Sequence, residues 1–254
     1  MKSLFISLLC ASLGASLGAT AAVQAAEIRV LASGAVKEAY LELTPKFEAA
    51  SGHKVTTVWS STVLMKKQIA DGEQYDLVII GAPEVNDFIA AQKALAGSRV
   101  DLMKVGVGMA VKEGAPKPDV SSAAKVKEAV LAAKKVAYSS GPSGTYIQNL
   151  FAKLGIADEA KAKTLQTQPG MPVAGYLRRD EVDFGFQQVS ELVHESGIAY
   201  LGPLPAEIQN YTLFSSGVPS VSKEPAAAKA FQAWLAAPEA GPVKKKHGLE
   251  GGPF

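Results

Sequence analysis

Four times along this chain a short apolar run closes on small hydroxyl residues and glycine, and a helical pattern begins. The runs are Ile28–Ala32, Val55–Trp59, Asp76–Ile80 and Lys135–Tyr138; they end in Ser33-Gly34, Ser60-Ser61-Thr62, Gly81-Ala82-Pro83-Glu84 and Ser139–Thr145. Short Val- and Ile-rich runs bounded by such residues read as strands. The spacing behind them predicts helices over Ala35–Ala50 and Met65–Ala70. The first turn of a helix carries unpaired N–H groups and a partial positive charge, so these turns can hold an anion without a formal cation. In an open α/β sheet, ligands sit beyond the carboxyl ends of the strands, where these turns lie. Ser and Gly also cap ordinary helices; it is the fourfold recurrence that points to an anion site.

From Ile28 to about Ala96 strand and helix alternate, the pattern of a parallel sheet wrapped by helices. Leu102–Val111 reads as a strand, Glu113–Asp119 as a polar connector and Ser122–Ala133 as a helix. Helices follow over Tyr146–Leu154 and Pro172–Arg179, then a buried strand over Val182–Gln187, a short helix over Ser190–Ser196 and a strand over Ile198–Leu201. Tyr211–Gly217 is a crossing strand, and Pro225–Leu235 is an amphipathic helix with a weak helical tail to Gly248. The chain has natural places to leave one lobe before Lys112 and to return near Tyr211. The pattern predicts an α/β fold of two lobes, each a mainly parallel sheet flanked by helices. Residues 26–108 and 210–254 form the first lobe and 109–209 the second, with the Ser/Gly turns of both facing one cleft.

The N-terminus reads differently. Lys2 is followed by an apolar stretch, Leu4–Leu17, and then by small residues up to Val23-Gln24-Ala25. That is a signal peptide over residues 1–25, cut after Ala25, too short and too broken by Ser and Gly for a membrane anchor. Cys10, the one cysteine, lies inside the apolar stretch with no lipobox, so the mature chain carries no disulfide and no thiol chemistry. A secreted chain of 254 residues without a cysteine framework suits a bacterial periplasm. With 48% hydrophobic and 20% charged residues and a formal charge of +2, it is an ordinary globular protein. That balance makes no case for nucleic acid or for membrane insertion of the mature chain.

Val30–Ala35, Lys67–Gly72 with Tyr75–Ile79, Gly141–Tyr146, Asp183–Phe186 and the ending Ala230–Leu235 through His247-Gly248-Leu249 resemble the periplasmic molybdate-binding type of solute-binding protein. The resemblance spans the mature chain and implies a type 2 periplasmic binding fold whose lobes close on an oxyanion. It places Ser33, Gly34, Ser60 and Ser61 in the first lobe of the site, and Ser143, Gly144 and Thr145 in the second. Where that family shows Val-Tyr followed two residues later by Asp, this chain has Gln187-Gln188 and Glu191. Its second-lobe loop also lacks the Asp-Pro opening. Gln188 in place of tyrosine offers two donors and an acceptor, which suits a carboxylate or hydroxy acid as well as a metal oxyanion. A small group within this family acts as aconitate isomerase, and the resemblance extends to it. Two expectations follow: an aconitate isomerase acting on a small polycarboxylate, or a receptor handing molybdate, tungstate or an organic acid to an ABC permease.

Isomerising aconitate requires a proton to leave one carbon of an allylic system and return to another, so a single base can serve, with no cofactor and no metal. Glu84, directly after the third strand, is the expected base, although it also reads as an acid opening the next helix. Tyr146, a turn behind Ser143, is the expected donor or else a packing residue. Glu38, Lys37, Lys66 and Lys67 read as solvated helix faces, and Arg178-Arg179 as a helix C-terminal pair. His53, His194 and His247 stand far apart in sequence, with no metal-ligand spacing, and read as surface histidines. Trp59 and Phe186 read as core.

Overall fold

The computed structural model describes residues 25–252; the predicted signal peptide, Ala25 apart, lies outside them, and so does Cys10. The chain runs β1 (Glu27–Ser33), α1 (Lys37–Ser51), β2 (Lys54–Ser60), α2 (Thr62–Ala70), β3 (Leu77–Gly81), α3 (Ala82–Ala90) and a long β4 (Val100–Lys112). It continues through α4 (Ala123–Ala132), β5 (Val136–Tyr138), α5 (Pro142–Lys153), α6 (Ala157–Lys161), β6 (Thr164–Gln166), α7 (Val173–Arg178), β7 (Phe184–Gln188), α8 (Val189–Leu192) and β8 (Ile198–Pro203). It closes with β9 (Tyr211–Gly217), α9 (Pro225–Ala236), α10 (Gly241–Lys246) and β10 (Glu250–Gly251).

The strand order is β2-β1-β3-β9-β4-β7-β5-β6, with β8 and β10 also on β4. β1 runs parallel to β2 and β3, and β5 runs parallel to β6 and β7. These are the parallel crossover units that the alternating pattern predicts. The crossing strands add antiparallel pairs in the middle: β4 lies against β9 over Val100–Gly106 and against β7 and β8 over Val107–Lys112. Each sheet is therefore mixed. One apolar core gathers Ile28, Val30, Tyr40, Phe47, Ile79 and Phe231; another gathers Val107, Met109, Val130, Ile147, Phe151 and Phe186.

At the changeover in β4 the Gln209 side chain clips onto Val107. Its Oε1 accepts from Val107 N (2.8 Å) and its Nε2 donates to Val107 O (3.0 Å). Gly106 leaves room for this clip, since a Cβ there would meet Gln209 Nε2 at 2.9 Å and push the amide aside. Asp76 is a second staple: Oδ2 accepts from Arg29 N, and Oδ1 accepts from Ser222 Oγ, Lys223 N and Glu224 N. Burial pushes its carboxyl up, and these bonds outweigh that and hold it below its ordinary range. Among the described residues no helix is long and apolar enough to cross a membrane.

Candidate functional site

A cleft of about 380 Å³ opens where the carboxyl ends of β1, β2, β5 and β7 face one another. Ser33 ends β1, and its Oγ accepts from Ala35 N (3.4 Å), so the chain turns into α1 without a break. Ser61 caps α2 in the same way, accepting from Leu64 N (3.4 Å), which leaves the Ser60-Ser61-Thr62 turn open toward the cleft. Across the gap, Ser139 Oγ and Ser143 Oγ hydrogen-bond at 2.8 Å, and Gly141 N donates to Ser139 Oγ at 3.3 Å. The first turns of α1, α2 and α5 thus present N–H and hydroxyl groups to one space, an anion-holding arrangement that needs little formal charge. Among the described residues Lys37 is the only lysine or arginine on the lining, and it is exposed.

Of the residues expected from sequence to bind ligand, Ser33, Gly34, Ser60, Ser61, Ser143 and Gln188 line this cleft. Gly144 and Thr145 do not. Gly144 works behind the loop: a Cβ there would lie 1.6 Å from the carbonyl oxygen of Ser139, so only glycine lets α5 begin so close to the end of β5. Thr145, a position further along α5, is exposed. Gln188 is buried and donates through Nε2 to Thr212 Oγ1 (2.9 Å), which leaves its Oε1 without a partner; Thr167 Oγ1, on the same wall, is also unpartnered.

Neither expected catalytic residue reaches the cleft. Glu84 folds back over the first turn of its own helix α3, where its carboxylate occupies the space that a side chain on Gly81 would fill. The expectation that a residue just past a strand faces the ligand fails there; an acid in the first turn of α3 is favoured by the positive end of the helix dipole, and Glu84 lies over that turn. Tyr146 turns outward from α5, and its hydroxyl donates to Ile208 O (2.7 Å) in the segment returning to β9. Burial raises the Tyr146 pKa, so it stays a neutral tether. Lys66 and Lys67 stay on the exposed face of α2, Lys67 paired with Asp71. Arg178 pairs with Glu195 at 2.7 Å, and Arg179 with Glu181.

Three acids reach the cleft, Glu38, Glu191 and Glu195; Glu195 is paired with Arg178 and Glu38 sits on α1, while Glu191 lies in the short helix α8 that follows β7. A methyl group placed on Gly34 would come within 3.6 Å of Glu191 Oε1, so this carboxyl stands against the opposite lobe's turn. Ser190 Oγ, one residue before, donates to Ala35 O at 2.6 Å and pins α8 there. Burial pushes the Glu191 carboxyl up to about 7; a hydrogen bond from Gln187 pulls it partly back, and Glu195 adds a smaller upward push. Glu191 is half-buried and lines the cleft. Gln187 is itself oriented: Oε1 accepts from Val173 N (2.8 Å), so its N–H is free to face Glu191. Sequence reasoning noticed Glu191 as a departure from a pattern but gave it no role. Its signal was its place, three residues past the end of a buried strand, which it shares with Glu84.

Two of the histidines meet. His247 Nδ1 and His194 Nε2 are 2.9 Å apart, and His247 Nε2 is 3.0 Å from Glu42 Oε2 on α1. His53 is buried too, its Nδ1 accepting from Ala26 N (3.0 Å) and its ring stacked on Phe47. The surface reading holds for His194, which is exposed, and is corrected for His53 and His247, which are buried; the partners of all three lie on other elements, so sequence spacing did not report them.

A family model described as "bacterial extracellular solute-binding protein" matches residues 28–250. The chain is 32% identical to an aconitate isomerase of a Pseudomonas species over 249 residues, which covers 94% of this chain and 95% of that one. It is 26% identical to the molybdate-binding protein ModA of Azotobacter vinelandii over 253 residues, 97% and 98% of the two chains. The solved Azotobacter vinelandii periplasmic molybdate-binding protein superposes with a TM-score of 0.76 at 18% identity, over 89% of this chain and all of that one, and so shares its fold. By its fold, its cleft at the strand ends and the model that spans nearly all its described residues, the chain belongs to the bacterial extracellular solute-binding protein family.

Proposed function

We propose that this protein is an aconitate isomerase built on a solute-binding fold, interconverting trans- and cis-aconitate in the periplasm after cleavage behind Ala25. The lobe of residues 109–209 closes on that of residues 26–108 and 210–254. One observation carries the reading: Glu191, with a pKa of about 7, stands in a cleft lined by hydroxyl and N–H donors. An acid poised near the working pH can both take and return a proton. As carboxylate it removes a proton from the substrate CH₂ beside a carboxylate; the C–H electron pair shifts through the allylic system. The same proton returns from Glu191 to the far carbon, so the double bond moves while atoms, charge and oxidation state are conserved. Charge building on the flanking carboxylate meets Ser60, Ser61 and Thr62 at the start of α2 and the Ser139–Ser143 pair. The 32% identity with an aconitate isomerase over nearly the whole chain supports the substrate.

A second reading has its own observation. Similarity to ModA over nearly the full length favours a receptor that delivers a small anion to an ABC permease. The two readings separate when the mature protein is mixed with trans-aconitate, cis-aconitate is followed by chromatography, and a molybdate thermal-shift sample runs alongside. Turnover supports the isomerase; a molybdate shift without turnover supports the receptor.

A further inference from the structure

The cleft lining holds one group that the reaction above does not use. His194 ends the α8 segment one helical turn past Glu191, is exposed, and lines the same cleft. Its Nε2 is taken by His247 Nδ1, and His247, buried to nine-tenths, passes its other nitrogen to Glu42. Glu42 is held down to about 2 by hydrogen bonds from Lys246 (2.7 Å) and His247, so it is a carboxylate and can only accept. His247 Nε2 therefore carries a proton. One further proton occupies the Nδ1···Nε2 contact, since two there would force the rings apart and none would leave two lone pairs facing. The only vacancy is His194 Nδ1, which has no protein partner among the described residues. With that nitrogen bare the pair is neutral; with it protonated the pair carries one positive charge, shared between rings by a shift of the central proton.

We propose that this Glu42–His247–His194 chain is a proton-loading carboxylate subsite: binding of a polycarboxylate draws one proton onto the pair, and His194 then donates Nδ1–H to a ligand carboxylate distant from Glu191. The proposal rests on the polycarboxylate reading of the cleft. The neighbouring charges fit it. Glu195 on the same segment is paired with Arg178 of α7, and Lys246 and Lys46 both turn to Glu42. Lys37 is the one lysine or arginine on the described lining, and it faces three acids there, Glu38, Glu191 and Glu195, so the bare cleft has no surplus cation for a second or third carboxylate. Imidazole is the side chain suited to supply one only when an anion arrives.

The test uses the Glu191→Gln protein, in which neither turnover nor Glu191 itself contributes protons, with trans-aconitate as the probe. Calorimetry at one pH in two buffers of different ionisation enthalpy gives the protons taken up on binding. We expect uptake of a substantial fraction of one proton, abolished by adding His194→Gln, which also weakens binding about tenfold. Proton NMR supplies a second readout without the histidine variant. The mature chain has three histidines; ligand should move the His194 and His247 ring signals together toward the charged form and leave His53 in place. Binding without proton uptake, or with uptake that His194→Gln leaves intact, overturns the subsite and spares the polycarboxylate reading. Absence of any trans-aconitate binding, in wild type as well, overturns both.

Discussion

Replacing Glu191 by Gln changes catalysis and stability in opposite directions, and both magnitudes follow from its surroundings. Folding moves this carboxyl from its ordinary value of 4.5 to about 7, chiefly by burial. The folded protein therefore holds a proton between those values that the unfolded chain has lost, so stability falls as pH rises through that window. Below about 4.5 the acid is neutral in both states and costs nothing extra. Above about 7 the ionised, buried carboxylate costs the fold about 3 kcal/mol, at about 1.36 kcal/mol per pH unit. Glutamine keeps the shape and carries no charge, so Glu191→Gln should melt with wild type at pH 4 and roughly 6–12 °C above it at pH 8. The same variant should still bind trans-aconitate, yet lose turnover about 10²–10⁴-fold, the usual worth of a positioned acid–base group. Scanning calorimetry at the two pH values and a chromatographic rate assay read the two effects. Equal melting temperatures at pH 8 would refute the burial argument, and undiminished turnover would refute the role as base.

Other consequences can be checked separately. Turnover divided by KM should rise with pH and level off above about 7, as Glu191 ionises; a profile flat from pH 5 to 8 would point to another base. Ser60→Leu puts a bulky apolar group at the open end of β2 on the cleft wall, so trans-aconitate affinity should fall by about 100-fold or more while stability stays within about 0.5 kcal/mol of wild type. Gly144→Ala must move the Ser139 carbonyl, which a new Cβ would meet at 1.6 Å, and urea unfolding should show a loss of about 3 kcal/mol or more.

How much of this was legible in the chain depends on the range of the interaction. Strand ends and helix starts are local, and Ser33, Ser60-Ser61 and Ser139–Ser143 could be placed from their neighbours alone, because cap chemistry acts over two or three residues. The α/β alternation and the crossing strands were equally readable. The short β6, α6 and β10 were not, since each is held by its sheet or helix partners rather than by its own pattern. The acid of the site turned on geometry that no local window contains. Glu84 and Glu191 both stand three residues past a buried strand, yet one folds back against Gly81 at the start of its own helix and the other stands against Gly34, more than 150 residues earlier in the chain. The histidine pair is of the same kind: His194 and His247 are separated by 53 residues, and only the docking of the C-terminal segment beside α8 brings them together.

The central claim is that this cleft moves a proton within aconitate, and proton NMR of trans-aconitate with the purified mature protein tests it most directly. The account predicts growth of the cis-aconitate vinyl signal to an equilibrium mixture, at a rate proportional to protein and lost in the Glu191→Gln variant. A trans-aconitate spectrum that stays unchanged while the ligand demonstrably binds would contradict it.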